Sequence, residues 1–391
     1  METTTSKQRA SHAATFTLLF VACFTVMVGS VISPALPAIA EQLHWPWSPG
    51  WLVTLPSLGV VLFGPAVGPL IERLGARLVL LLGLVLYGIL GVLAAVVPLS
   101  ATIIAADRLL LGGATALVMA AGTTLIAALF VGAARLRMIA LQGMAIELGG
   151  VVFLALGGWL GEHGWRLPFA LYALAWICAL CTLLTLPAHT AAQHEDLTET
   201  TRKRTHHILV EATLCMTIFF VAYTTLPLAL ASRFGYTEAR TGYLMAWISV
   251  VAVASAAMLP RLSKSIALGK LVPLALLLFA AGHLTLARAH TLATILIGLT
   301  LLGIGFAFAI PVVNHEMIER SSAAQRGRNL GLLSMAIFLG QFLSTFAGLF
   351  SADSFTTLRL TGFVSLACGL AWLLLRERLA TPRQPTGIHR T

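Results

Sequence analysis

The sequence GPLIERLGAR at residues 68–77 joins two apolar runs, 49–71 and 78–98. Each run is about twenty residues long, which is the length that an α-helix needs to cross roughly 30 Å of hydrocarbon. The glycines permit a tight turn, and Glu72 stands among arginines with which it can pair or which can interact with a helix end. This stretch therefore predicts two membrane-spanning helices joined by a short polar turn.

The same alternation of long apolar runs and short polar turns continues along the whole chain. Hydrophobic residues make up 58% of the 391 residues and charged residues only 10%, against about 25% charged residues in an ordinary soluble domain. So little polar material cannot cover a soluble globule of this size, and lipid is the solvent that fits. We predict an all-α membrane protein of twelve transmembrane helices, at residues 14–40, 49–71, 78–98, 102–131, 139–161, 168–187, 208–232, 241–260, 271–288, 292–315, 330–350 and 357–375.

The twelve predicted spans form two sets of six, separated by the longest polar segment of the chain. We expect an N-terminal six-helix transmembrane bundle at residues 1–187, a cytoplasmic linker at 188–207 and a C-terminal six-helix transmembrane bundle at 208–391. The linker is rich in Thr, His, Glu and basic residues, as is typical of a flexible connection. Its histidines and acids do not have the compact spacing of metal ligands, so a solvated linker is favoured over a metal site.

Basic residues between the spans predict the orientation of the chain. The net charge is +10, with 25 Lys and Arg against 15 Asp and Glu. If the N-terminus is cytoplasmic, nineteen basic residues lie on the inner side and five on the outer side, as the positive-inside rule requires. We therefore expect a multi-pass protein of a bacterial-type cytoplasmic (inner) membrane with both termini in the cytoplasm. Orientation in lipid explains the positive charge, and no nucleic-acid partner is expected.

The sequence shows no pattern typical of a cofactor site or an enzyme active site. The five cysteines lie within apolar runs, and the C-x-x-C of Cys178 and Cys181 is more typical of inert packing in a membrane helix than of a redox pair. No P-loop motif GxxxxGK[ST] occurs, so we do not expect ATP to drive the protein directly. The spans also lack a convergent set of nucleophile, base and metal ligands. We expect neither enzyme activity nor a cofactor or metal.

The turn at residues 68–77 resembles the signature of the major facilitator superfamily, GxxxDRxGRR. Glu72 takes the place of the aspartate, and Ala76 departs from the pattern. The positions that match are Gly68, Arg73, Gly75 and Arg77.

Three further segments resemble the same family. The fourth span contains Asp107 and Arg108 followed by Gly112, which is similar to the family's RxxxG motif. The sequence WRLPF, which begins at Trp165, is similar to the motif that introduces span six, and RGRN at 326–329 is similar to the segment before span eleven.

The resemblance implies two six-helix bundles related by pseudo-symmetry, with a substrate site near the bilayer midplane that is reached by rocking of one half on the other. The chain resembles the twelve-span drug/proton antiporter branch of this family. This implies proton-coupled efflux of a small organic molecule, such as a drug, a metabolite or a siderophore-like chelator. The implied partners are a small-molecule substrate, protons and the lipid bilayer, and we expect a monomer.

The fifth span departs from the exporter pattern. Proton-exchanging exporters typically carry GxxxGPxxGG there, whereas this chain has Gly149, then Phe-Leu at 153–154 in place of Gly-Pro, then Gly157 and Gly158. The departure weakens the prediction of antiport and leaves proton-coupled uptake of a small solute as an alternative. The remaining glycines, with Gly112 in the fourth span, still permit close helix packing.

Glu147 is the leading candidate for a functional residue. It lies about nine residues into the predicted fifth span, near the midplane, where an unpaired charge is costly and an ionisable group usually faces a cavity or a partner. Glu147 is expected either to couple protons or contact substrate, or to be a neutral acid bonded to a neighbouring helix. Arg108 is expected either to be its electrostatic partner or only to steady the fourth span. Asp107 is the next candidate for a proton site.

Other polar groups at membrane depth are weaker candidates for substrate contacts, because such groups more often hold helices together. They are Ser30, Tyr223, His283 and Gln341. We also expect Glu72 to contact the start of span eleven, where Asn329 would cap the helix, and so to hold the cytoplasmic side closed. A receptor or scaffold without transport is the alternative from another functional class, and it would need neither Glu147 nor an ion gradient.

Overall fold

The computed structural model describes residues 11–97, 100–187, 205–262, 268–322, 325–351 and 353–380, and the regular elements within these ranges are all helical. Within them, twelve helices are long and apolar enough to cross a membrane. The predicted all-α fold with twelve spans is therefore confirmed. Most of the predicted linker, residues 188–204, lies outside the described residues.

We number these membrane helices α1 to α12 in chain order. The first six are α1 His12–Ser30, α2 Trp51–Leu74, α3 Ala76–Val96, α4 Ala101–Leu129, α5 Ala133–His163 and α6 Leu167–Thr185. The second six are α7 His206–Phe234, α8 Glu238–Leu259, α9 Leu268–Ala287, α10 Leu292–Arg320, α11 Arg326–Leu349 and α12 Ser354–Leu374.

The first predicted span, 14–40, is wrong in its length. α1 ends at Ser30, and a separate short helix, Leu36–Gln42, follows it. Pro34 has no backbone N–H to donate to the carbonyl of Ser30, so the helical ladder ends there. Pro37 lies at the start of the short helix, where a missing N–H is tolerated. The chain between the two helices is thereby available for contacts with other parts of the molecule.

Each set of six helices packs largely within itself. In the first set α4 packs against α2 and α3, and α5 packs against α1. In the second set α9 packs against α10 and α12, and α11 packs against α7. Two pairs of helices make the main contacts between the sets, α5 with α8 and α2 with α11. Any space between the two sets is therefore bounded by these two interfaces.

Glycines mark the closest helix contacts. A Cβ atom on Gly112 of α4 would collide with the backbone of α2, and one on Gly157 of α5 would collide with the carbonyl oxygen of Val31. Gly158 faces the other way, so that a Cβ atom there would collide with the carbonyl oxygen of Glu238 on α8. Without side chains at these positions the backbones can approach closely. α5 is thus held between the first set and α8.

Candidate functional site

The two sets are in contact at one end of the molecule, which we call the Ser48 end after the loop that precedes α2. Ser57 Oγ of α2 donates to Oε1 of Gln341 on α11 over 2.8 Å. Closer to that end, the hydroxyls of Thr54 and Thr345 share a hydrogen bond. The predicted candidate Gln341 therefore lies in a contact between the sets.

Aromatic and backbone contacts close the same end. The ring of Trp51 on α2 lies edge-on to that of Phe342 on α11, with centroids 6.0 Å apart. Ser33, in the segment after α1, donates through Oγ to the backbone carbonyl of Tyr223 on α7 over 2.9 Å. All of these groups are uncharged, so the Ser48 end is closed by neutral hydrogen bonds and ring packing.

The helices separate towards the opposite end, which we call the Glu72 end after the turn between α2 and α3. A Cβ atom on Gly64 of α2 would lie 3.4 Å from Sδ of Met335 on α11. One turn further, no described atom of another helix lies within 4 Å of the Cβ position of Gly68 or of Gly331. The α2–α11 contact therefore ends between these turns.

Glu147 lies where the contact between α5 and α8 ends in the same way. A Cβ atom on Gly150, towards the Ser48 end, would lie 3.0 Å from Oγ of Ser249 on α8. Gly143, one turn towards the Glu72 end, has no described atom of another helix within 4 Å of its Cβ position. Glu147 is partly exposed and lies about 21 Å from the start of a helix about 46 Å long. Its carboxyl is thus at mid-depth, where the space between the sets begins.

The surroundings of Glu147 are polar but uncharged. Among the described residues, no basic side chain lies within 4.0 Å of its carboxylate, the distance at which an ion pair forms. Tyr223 of α7 is close enough to interact electrostatically with it, and the Tyr223 hydroxyl in turn interacts with Ser249 of α8. Glu147 is therefore accompanied by a phenol from the second set rather than by a cation.

Arg108 is fully buried and paired with its neighbour Asp107. Its Nη2 and Nε donate to Oδ2 of Asp107 over 2.9 Å and 3.2 Å, and Nη2 also donates to a carbonyl of α3 over 3.1 Å. Its guanidinium carbon lies 5.3 Å from the ring centre of Phe169 and 5.5 Å from that of Tyr172. Of its two expected roles, this arrangement favours steadying α4 within the first set over pairing with Glu147.

Two of the predicted substrate contacts are buried and hydrogen-bond within their own helices. Ser30 is buried, and its hydroxyl donates to the carbonyl of Val26 in its own helix over 2.8 Å. His283 is buried within the second set, where its Nδ1 lies 2.8 Å from the carbonyl of Phe279. Gly149, predicted as a packing residue, faces α1, where its Cβ position lies 3.1 Å from Cβ of Cys23. These residues stabilise helices and helix contacts in this state.

The turn between α2 and α3 has the tight geometry that its glycines predict. Gly75 ends α2 with a φ of +82°, a conformation that residues with a side chain rarely adopt. Glu72 is exposed, as is the adjacent Arg73. Arg77 donates through Nη2 to the carbonyl of Leu183, near the end of α6, over 2.7 Å. Arg77 thus interacts with a helix C-terminus, where cations are favourable, rather than with Glu72.

The expected contact between Glu72 and the start of α11 is not formed in this state, in which the Glu72 end is open. The helix begins at Arg326 and its N-cap residue is Gln325. Asn329 lies inside the helix, and its Nδ2 donates to Oγ of Ser321 over 2.8 Å. The prediction that Asn329 caps the helix is wrong, because the helix begins before it.

Several residues that join helices were not predicted from the sequence. Ser33 and Ser57 bridge the two sets, but single hydroxyls in apolar runs carry no sequence signal for such a role. Glu211 of α7 is buried, and its Oε1 accepts a hydrogen bond from Nε1 of Trp372 on α12 over 2.8 Å. A lone acid inside the predicted span 208–232 is the sequence signal that could have identified Glu211.

In the described part of the chain, twelve helices of membrane length form two sets that are in contact at one end and separate at the other, the architecture of an integral multi-pass membrane protein. The chain belongs to the Major Facilitator Superfamily, which its residues 18–267 and 208–390 match. The predicted family is confirmed. The protein is accordingly a transporter with a small-molecule substrate and not an enzyme.

Known relatives are similar over nearly the whole chain. Multidrug resistance protein 1 of Bacillus subtilis (strain 168) is 22% identical over 381 residues, which cover 92% of this chain and 96% of that protein. A bacterial homolog to the human lysosomal transporter Spinster, solved in an inward-facing and unoccupied conformation, matches with a TM-score of 0.77 at 15% identity, over 97% of this chain and 100% of that one.

Transporters named for other substrates have a similar fold. The nucleoside transporter NupG, solved as a mutant, matches with a TM-score of 0.75 at 13% identity, over 94% of this chain and 100% of that one. A mutant of the peptide transporter POT matches with a TM-score of 0.73 at 11% identity, over 92% of this chain and 94% of that one. At these identities, the likeness to the solved structures shows the fold alone.

Proposed function

We propose that this protein is a proton-coupled exporter of a small organic molecule, such as a drug, a metabolite or a siderophore-like chelator. The observation that carries the proposal is the position of Glu147, a partly exposed acid at mid-depth where the space between the sets begins. In this state the acid is approached from the Glu72 end, and rocking of the sets exposes it to the Ser48 end. Such a carboxyl binds a proton from one side and releases it to the other.

Aromatic side chains around Tyr223, which interacts with Glu147, support a partly apolar substrate. Phe220 and Tyr223 of α7 are stacked with ring centroids 5.0 Å apart, and Phe219 lies 4.5 Å from Phe306 of α10. Flat apolar surface next to an acid suits a molecule with an apolar body and a positive or hydrogen-bond-donating group. Such a substrate competes with the proton for Glu147, which links its export to proton entry.

The name of the Bacillus subtilis relative supports export as the direction. Proton-coupled uptake of a small solute is the second candidate, and α5 carries the observation that favours it. The Gly-Pro of the exporter motif is replaced by Phe153 and Leu154, both of which are buried. α5 therefore lacks the proline that the exporter pattern places in this helix.

The orientation that we propose follows from the basic residues between the spans. Both termini lie in the cytoplasm, and the membrane is a bacterial-type inner membrane. The Glu72 end then faces the cytoplasm, and the structure is open inwards and closed outwards. Residues 1–187 and 208–391 form the two moving bundles, 188–207 is their linker, and one copy of the chain is sufficient for transport.

Flux in proteoliposomes with a known orientation tests this function. An imposed pH gradient should drive accumulation of the substrate, and adding substrate should move protons in the opposite direction, as a pH-sensitive dye inside the vesicles reports. A panel of amphiphilic cations, neutral drugs and chelators identifies the substrate class. Proton movement in the same direction as substrate would establish uptake instead. A substrate flux that does not change with the imposed pH gradient would contradict proton coupling.

A further inference from the structure

A proline inside α7 leaves one backbone carbonyl without its helical partner. In an α-helix the N–H of each residue donates to the carbonyl four residues earlier, and proline has no N–H. Pro227 lies within the continuous helix His206–Phe234, so the carbonyl of Tyr223 lacks its i+4 donor. Both residues are buried, and a buried carbonyl without a donor is unfavourable by about the free energy of a lost hydrogen bond.

Ser33 from the other set supplies the missing donor. Its Oγ lies 2.9 Å from the carbonyl oxygen of Tyr223, and its side chain is fully buried. The position of Ser33 is held by its own backbone, whose N–H donates to the carbonyl of Gly29 over 3.2 Å. Its hydroxyl also lies 3.9 Å from Sδ of Met245 on α8. Ser33 is therefore a hydrogen-bond donor of the first set that is already positioned to satisfy the unpaired carbonyl of Tyr223 in the second set.

We propose that Ser33 and the carbonyl exposed by Pro227 form a latch that holds the Ser48 end closed. Ser33 belongs to the first set and Tyr223 to the second, so the bond breaks when the sets separate at this end. The carbonyl then loses its donor because α7 itself cannot replace it. The latch rests on the proposed rocking of the two sets, but not on the substrate, the coupling ion or the direction of transport.

The proline makes this latch testable by a double-mutant cycle. Ser33→Ala leaves the Tyr223 carbonyl buried and unpaired in the closed state, so we expect the ratio of closed to open molecules to fall about tenfold. Ser33→Thr keeps a hydroxyl and should stay close to the wild type. Pro227→Ala restores the N–H of residue 227, so the carbonyl is satisfied within α7 in both states. Ser33→Ala should then have little effect in the Pro227→Ala background.

The matched control is Ser30→Ala in the same part of the chain. The Ser30 hydroxyl is buried like that of Ser33, but it bonds the carbonyl of Val26 in its own helix. Its removal should leave the closed-to-open ratio unchanged. A shift as large as that of Ser33→Ala would mean that the effect is one of general helix destabilisation.

Distances between spin labels measure the ratio directly. Labels at Gln42 and His290, in a full-length chain whose native cysteines are replaced, report on the Ser48 end. Both residues are exposed; Gln42 ends the short helix Leu36–Gln42 of the first set, and His290 lies in the loop between α9 and α10 of the second. Pulsed EPR in nanodiscs gives the populations of short and long distances without any substrate. Thermal unfolding of each purified variant shows that it is folded.

The outcomes separate the latch from the proposed function. A shift with Ser33→Ala that disappears in the Pro227→Ala background supports the latch. An unchanged distribution with Ser33→Ala, or the same shift in both backgrounds, overturns it. Neither result depends on transport, so failure of proton-coupled export in vesicles would leave the latch standing, and failure of the latch would leave export standing.

Discussion

Ser57 of α2 donates to Gln341 of α11 over 2.8 Å, across the contact between the two sets of helices. Neither side chain carries a charge, so the bond does not depend on pH or on salt as an ion pair would. Removal of one partner leaves the other polar group poorly paired in the contact, which costs about 1–3 kcal/mol. The bond therefore contributes to the stability of the closed Ser48 end without linking it to the proton gradient.

We expect Ser57→Ala to open the Ser48 end more often, by about tenfold for each 1.4 kcal/mol lost. The double variant with Gln341→Leu should lie closer to the wild type, because replacing both polar partners removes the unpaired group. The measurement is the labelling rate of a cysteine introduced at Ser48, in a chain without native cysteines, by a membrane-impermeant maleimide. Equal labelling rates in the single and the double variant would show that the hydrogen bond is not what closes this end.

The orientation of the chain is tested by reporters fused at two positions. An alkaline phosphatase reporter fused after Arg378 should be inactive, as expected in the cytoplasm, and one inserted at His290 should be active, as expected in the periplasm. The charge distribution of nineteen basic residues against five is the physical reason. The reverse pattern would overturn the orientation, and with it the assignment of the open end to the cytoplasm.

The fold followed from the sequence because hydrophobic length and charge act locally along the chain. Apolar runs of membrane length predicted every one of the spans in the described residues. The error in the first span came from treating apolar character as sufficient for a helix. Pro34 interrupts the backbone ladder after Ser30 although the residues around it remain apolar.

The candidate site followed from the sequence only in part, because its contacts join residues far apart in the chain. The depth of Glu147 was predicted from its position in an apolar run, but its approach to Tyr223 depends on how the two sets meet. The pairing of Arg108 with Asp107 was not foreseen, although the two are adjacent. Ser33 donates to a residue 190 positions away, and no local pattern indicates such a bond.

Close packing of α5 against α8 predicts a strong effect of a small substitution. Gly158→Ala should lower the thermal stability and the transport rate, because the added Cβ would collide with the carbonyl of Glu238 and must push the helices apart. Gly143→Ala in the same helix is the control, since no described atom of another helix lies within 4 Å of its Cβ position. It should be neutral or slightly stabilising, because alanine favours a helix over glycine. Similar melting temperatures for the two variants would argue against the packing role.

The contact expected between Glu72 and α11 is tested by cross-linking. Cysteines at 72 and 329 should be joined by a short bifunctional reagent only when the Glu72 end closes, which substrate or a reversed gradient should promote. Cysteines at 64 and 335 are the positive control, because the Cβ position of Gly64 lies 3.4 Å from Sδ of Met335 in the present state. If the 72–329 pair fails to react in every state while the 64–335 pair reacts, Glu72 does not hold this end closed.

Glu147 is the residue on which the proposed coupling depends most. Glu147→Gln keeps the size of the side chain and most of its hydrogen bonding, but it cannot bind and release a proton. We expect it to abolish gradient-driven transport while the protein remains folded and still binds substrate. Glu162→Gln is the matched control, because Glu162 is exposed near the end of the same helix, and it should transport like the wild type.

Glu147→Asp separates a titrating role from a structural one. It keeps a carboxyl but withdraws it by one methylene, so it should retain part of the activity with a changed dependence on pH, whereas Glu147→Gln should lose that dependence altogether. Initial rates in proteoliposomes between about pH 5.5 and about pH 8.5, with and without a gradient, measure both effects. Wild-type rates and an unchanged pH response in Glu147→Gln would make Glu147 structural. The proton site would then have to be sought elsewhere, first at Asp107, whose ion pair with Arg108 would have to open for the carboxyl to take up a proton.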